Sequence, residues 1–182
     1  MRSLVLALVV AVLGLPVAAG AAPRVHLEVE NVNAAEGLPP ELPAKAALVL
    51  NGVLGEHPEL APAAGKGITS YALTSNVNLF ERTVEPNPNG NGQVLVVKVG
   101  VQLVGSVLPS RAMALTGSGR STVKVEVGAT VNPRDEQFAL DDALKDAYGR
   151  AVEQALTQLA APAKAAPARP KAQKKPTPKK AT

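Results

Sequence analysis

Residues 94–103 read Val-Leu-Val-Val-Lys-Val-Gly-Val-Gln-Leu. Leu95, Val97, Val99, Val101 and Leu103 hold one parity, and Val96, Lys98, Gly100 and Gln102 hold the other. Side chains alternate across a strand, so this period predicts a strand with one apolar and one mixed face. Just upstream, Pro86-Asn-Pro-Asn-Gly-Asn-Gly92 gathers residues that fix φ, accept positive φ or bond side chain to backbone. Before that segment, Tyr71, Leu73, Val77 and Leu79 share a parity in a run ending near Val84. Two strands about such a turn make an antiparallel hairpin.

Downstream, a turn at Leu108-Pro109-Ser110-Arg111 leads into Met113, Leu115, Gly117, Gly119, Ser121, Val123, Val125 and Val127, all of one parity. The unbroken parity predicts one long strand, bent or bulged at Gly117-Ser118-Gly119, over two strands joined by a tight turn there. Asn132-Pro133-Arg134-Asp135-Glu136 then has the capping residue, first-turn proline and early acids of a helix start. Phe138, Leu144, Ala147, Tyr148, Ala151, Val152, Ala155, Leu156 and Leu159 form its expected apolar face, with Asp141, Lys145, Glu153 and Gln154 in water.

On the amino-terminal side, residues 24–32 alternate strictly, with Val25, Leu27 and Val29 opposed to His26, Glu28 and Glu30. That is a half-buried strand. A loop over 33–40 leads to a helix from about Glu41 to Gly55, whose Leu42, Ala46, Val49, Leu50, Val53 and Leu54 make one stripe. The predicted order is strand-helix-strand-strand-strand-helix. It defines an α+β, two-layer domain: an antiparallel sheet of about four strands with two helices packed on one face.

The domain is flanked by two unlike termini. Residues 1–21 carry Arg2, an apolar run from Leu4 to Leu15 and then small residues, the pattern of a cleaved signal peptide. The run is short for a membrane span, so no transmembrane span is expected after cleavage. Residues 22–161 form the single α+β domain, 140 residues long. Residues 162–182 mix Lys, Ala and Pro without a large apolar side chain and are read as a disordered basic tail. The domain holds 11 basic and 15 acidic residues, a net of −4, whereas the tail holds seven basic residues and no acid. The chain has no cysteine, which removes disulfides, thiolate chemistry and the lipidated cysteine of lipoproteins. The address is therefore secreted or periplasmic.

Signs of catalysis are few. His26, Glu28 and Glu30 project together from a strand and could present metal ligands, yet a flat solvated trio lacks an enclosing shell. His57 follows a helix end, where a basic ring faces the last carbonyls. Asn87 to Gly92 lacks the acids of a calcium loop, with Lys98 where the bidentate Glu would stand. Gly65-Lys66-Gly67 does not fit a phosphate loop, nor Gly117-Ser118-Gly119 a nucleophile elbow. Asp135-Glu136 and Asp141-Asp142 belong to the first turns of a helix. No catalytic residue, metal site or cofactor is assigned, and the chain is not expected to be an enzyme.

The tail's Lys164, Arg169, Lys171, Lys174, Lys175, Lys179 and Lys180 are the candidate polyanion-binding residues, acting by counterion release without sequence-specific nucleic-acid recognition. A solubilising spacer is the other reading of the same composition. The element order, the segment Val94 to Ser106 and the Thr116-Gly-Ser-Gly119 strand before a long Ala-rich helix resemble the TolB amino-terminal domain and related lipoprotein activators of cell-wall synthases. The chain as a whole is similar to uncharacterised small secreted proteins of myxobacteria. The first resemblance implies a periplasmic protein-interaction module, and neither implies a functional residue. The expected function is a non-catalytic exported envelope protein with the tail as electrostatic tether, its partner an envelope protein or an anionic envelope polymer. The alternative is a protein that binds lipopolysaccharide or extracellular DNA chiefly through the tail.

Overall fold

The alternation at 94–103 becomes one of the two inner strands of a four-stranded sheet. In the computed structural model, which describes residues 25–160 apart from Asn89 and Asn91, the order is β1 (Val25–Ala34), α1 (Leu42–Glu56), β2 (Thr69–Pro86), β3 (Gln93–Val107), β4 (Ala112–Val127) and α2 (Pro133–Ala160). The strands lie in the order β1-β2-β3-β4. β2, β3 and β4 are antiparallel neighbours joined by short turns, as the hairpin signals imply. Both helices cover one face, and α1 packs beside α2.

The fully antiparallel sheet needs one correction: β1 runs parallel to β2. After β1 the chain goes back along α1 and enters β2 in the direction it first took, so the sheet is mixed. A hairpin cannot join parallel neighbours, and the intervening helix supplies the crossover. Leu42, Ala46, Leu50, Val53 and Leu54 are the buried stripe of that helix.

Three single-residue irregularities shift the parity that the sequence suggests. In β1 the register slips between Val29 and Asn31, so Val32 and Ala34 take up the core side. In β2 it slips between Val77 and Leu79, which turns Leu79 to the uncovered face opposite Gly100 and sets Phe80 opposite Val99 on the core side. At the start of β4, Met113 lies opposite Ser106 and Leu115 opposite Gly105, leaving Met113 71 % exposed rather than in the core. Each bulge adds one residue to one strand and exchanges its faces beyond that point.

No such irregularity occurs at Gly117 or Gly119, which pair regularly with Leu103 and Val101. The strand is single and long, but the glycines serve the helix above it. A Cβ on Gly117 would stand 2.0 Å from the Ala151 carbonyl oxygen, and one on Gly119 would stand 1.8 Å from that of Ala147. The helix side is equally bare: Ala139, Ala143, Ala147, Ala151 and Ala155 recur every four residues and are all buried. Four helical residues rise about 6 Å and two strand residues about 6.6 Å, so the two small-residue rows keep step. Phe138, expected in this face, stands one position beside the alanine row and is 58 % exposed.

The helix begins as its sequence suggests, with the Arg134 amide donating to Asn132 Oδ1 at 3.0 Å. Lys45 with Asp141 and Lys145 with Glu56 tie α1 to α2 at 3.0 and 2.8 Å. Glu56 holds the Lys145 ammonium above its ordinary pKa. Inside, Ser75 Oγ and Tyr148 Oη share a hydrogen bond of 2.8 Å. Burial pushes the Tyr148 phenol up, and the bond to Ser75 partly opposes that.

Candidate functional site

Because both helices lie on one side, the other face of the sheet is left uncovered. The pairing register sets its side chains in rows across the strands. Asn33, Asn76, Gln102 and Ser118 form one row, and Asn31, Thr74, Val104 and Thr116 form the next. Glu81, Lys98 and Thr122 form another, with Lys98 Nζ on Glu81 Oε2 at 3.0 Å. The centre of this face is therefore rich in amides and hydroxyls, groups that both donate and accept hydrogen bonds.

The β2 bulge shapes a depression in it. At Gly100 a Cβ would meet Asn78 Oδ1 at 2.7 Å, so glycine forms a floor with Asn78 on one side and Arg120 on the other. The resulting cavity, about 380 Å³ and open to solvent, is lined by Asn78, Val101, Gln102, Ser118, Gly119 and Arg120. Its amides, hydroxyl and guanidinium can hold a polar or anionic group by hydrogen bonds. It contains no imidazole, thiol or paired carboxylates for proton transfer.

The residues singled out by sequence are dispersed. His26 Nδ1 donates to the Ala61 carbonyl at 2.9 Å, and the Ala61 amide donates to Val25 O at 2.8 Å, so the histidine helps to hold the 60–61 segment along the outer edge of β1. Glu30 is drawn off in another direction. Its carboxylate accepts from the Arg111 guanidinium at 2.5 Å, and that hydrogen bond holds it below the usual carboxylate range. Glu28 sits on the uncovered face opposite Ala72. Among the described residues no group of three or more His, Asp or Glu is placed to hold a metal ion. His57 meets Glu59 at 3.7 Å and joins His26 in lining a second crevice of about 330 Å³ below the end of α1. The candidate tail residues, Lys164 to Lys180, and the signal segment 1–21 lie outside the described residues.

The sheet row at Asn33, Asn76, Gln102 and Ser118 was not picked out from sequence. The polar residues were visible as the non-core parity of each strand, but which of them stand side by side depends on register. Gln154 is expected in water from the sequence pattern, and Gln158 is not singled out by it. Gln154 Oε1 accepts from the Ser118 amide at 2.7 Å and Gln158 Oε1 from the Thr116 amide at 3.0 Å.

No family model matches the sequence, and no curated protein matches it. Similar solved structures include a minor lipoprotein from Acinetobacter baumannii, 13 % identical, the match covering 76 % of this chain and 94 % of that one with a TM-score of 0.39. A Xanthomonas campestris protein of the DUF330 family is 13 % identical over 77 % of this chain and 88 % of that one, with a TM-score of 0.47. The PelC dodecamer from Paraburkholderia phytofirmans is 14 % identical over 74 % of this chain and 89 % of that one, with a TM-score of 0.41. No residue role passes from these proteins to this chain. Among the described residues no helix is long and apolar enough to cross a membrane.

Proposed function

We propose that the chain is a non-catalytic, exported envelope protein whose α+β body binds a partner protein through the uncovered sheet face, while residues 162–182 act as an electrostatic tether. The observation that carries this reading is the pair of rows Asn31 to Thr116 and Asn33 to Ser118, spanning all four strands with amides and hydroxyls at every position but Val104. Such a face is broad and hydrogen-bonding, and its cavity is shallow. Small ligands are held in concave, mostly apolar enclosures, so a flat polar face suits a macromolecular surface better. The signal-like residues 1–21 point the same way.

The test is co-purification from envelope extracts with the natural protein and with an Asn76→Ala/Gln102→Ala variant. Both positions are exposed, so the variant should melt like the parent. It should recover the partner at least about tenfold more weakly, the loss of one or two interfacial hydrogen bonds. Equal recovery would refute the sheet-face reading.

The alternative, binding of lipopolysaccharide or extracellular DNA chiefly by the tail, is favoured by seven basic residues without an acid in 162–182. In that case a peptide of the tail alone binds these polyanions nearly as well as the whole protein does.

A further inference from the structure

Two edges close the sheet, and they are protected unequally. On β1 the 60–61 segment adds a bridge at Val25. On β4 the glutamines of α2 take up the outward amides of Thr116 and Ser118. Those two bonds reveal the phase of the strand: even-numbered residues of β4 aim their main-chain N–H and C=O off the sheet. Pairing with β3 continues without irregularity from Leu115 to Val127, so Arg120, Thr122, Lys124 and Glu126 aim theirs outward as well. α2 does not reach them. It crosses the sheet obliquely, with Glu136 on Arg82 of β2 at 2.7 Å near its start and its glutamines at the β4 edge near its end. Among the described residues no partner meets these four outward amides.

An exposed run of unpaired main-chain groups is a template for a further strand. We propose that the 120–126 edge of β4 pairs with the same segment of a second copy, antiparallel, about a two-fold axis at Val123. Main-chain phase requires even residues to face even residues. With Val123 opposite its own copy, Arg120 faces the partner's Glu126 and Thr122 faces the partner's Lys124, each pair occurring twice by symmetry. Sliding two residues one way puts Arg120 opposite the partner's Lys124. Sliding two residues the other way puts Lys124 opposite itself. Directly opposed like charges disfavour both slips, and opposed unlike charges favour the central register.

The charges concerned are available. Arg120, Lys124 and Glu126 make no ion pair among the described residues, whereas Arg82, Lys98, Arg111 and Lys145 each have one. On the other face of the same segment, the partly buried Val123 meets its copy and Val125 meets the partner's Ser121. The result is one eight-stranded sheet whose uncovered faces run together. This association stands independently of what the face binds.

Sedimentation of the exported protein, processed as the cell leaves it, should give a mass of two copies that dissociates on dilution. Thr122→Pro should abolish the dimer and leave the fold intact, since only an outward N–H is removed. Arg120→Glu and Glu126→Arg should each raise the dissociation constant about tenfold. The double variant Arg120→Glu/Glu126→Arg should bring it back to the parent value. A single-copy mass at every concentration would overturn the proposal. So would a dimer indifferent to Thr122→Pro, a double variant no tighter than the single ones, or masses beyond two copies, which would mean β4 pairing on β1.

Discussion

Tyr148 and Ser75 show how a core of small side chains manages its largest member. Tyr148 is fully buried in α2, and its phenol needs a partner that aliphatic neighbours cannot give. Ser75 supplies it from the core side of β2, in the row that holds Val32, Leu103 and Gly117. Removing either hydroxyl strands the other in an apolar site, which costs more than the bond itself contributes. Tyr148→Phe and Ser75→Ala should each lower the unfolding free energy in urea by about 1–3 kcal/mol. The double variant should fall short of the sum by about 1 kcal/mol, because the second change removes the group the first left unpaired. Additive losses would show that the two hydroxyls are not coupled.

At the scale of elements, the β4–α2 contact decides how closely the layers approach. Gly117 and Gly119 face the carbonyls of Ala151 and Ala147, which belong to helix backbone and cannot rotate away. Gly119→Ala should therefore lift α2 from the sheet and destabilise by at least about 3 kcal/mol, the upper range for overpacking. Gly149→Ala is the contrasting case: its Cβ would meet nothing within 4 Å, and it should stabilise by about 1 kcal/mol through helix propensity. Thermal melts of the two variants moving in opposite directions check both. The elements themselves were legible because β3 alternates without interruption and α2 announces its start at Asn132 and Pro133. The bulges at Glu30, Asn78 and Ala114 were not, since one inserted residue is a matter of local hydrogen bonding. Even so, the change from Val77 to Phe80 and Val84 carries a parity switch in retrospect. In the sequence Gly117 and Gly119 suggest a bend, because a glycine states that room is needed and not what fills it. The alanines of α2, spaced by four, were the complementary signal. For the uncovered face, composition was legible strand by strand, but the rows exist only once β1 is known to run parallel to β2 and three slips in register are placed.

At the scale of the whole molecule, charge is divided between body and tail. The body carries −4 and residues 162–182 carry seven basic side chains, so the two halves face a polyanion with opposite preference. Attraction of the tail to an anionic surface must act against repulsion of the body, and both weaken as salt shortens the screening length. Among the described residues six basic side chains of the body are paired with acids, as at Arg82 and Glu136, Lys98 and Glu81, and Arg111 and Glu30. The tail's charges outnumber any acid near them in sequence. Retention on anionic envelope material should accordingly fall steeply with salt for the full chain, with several counterions released. Removal of residues 162–182 should lower retention at low salt and flatten the dependence on salt concentration. It should leave the melting temperature of the body unchanged, because the core from Leu27 to Ala155 lies wholly outside the deleted segment. Retention measured over a salt series with both proteins separates the roles. An unchanged slope after truncation would assign the attraction to the body and make the tail a spacer, whereas a lost slope with partner capture intact would leave the tail as tether and the sheet face as reader.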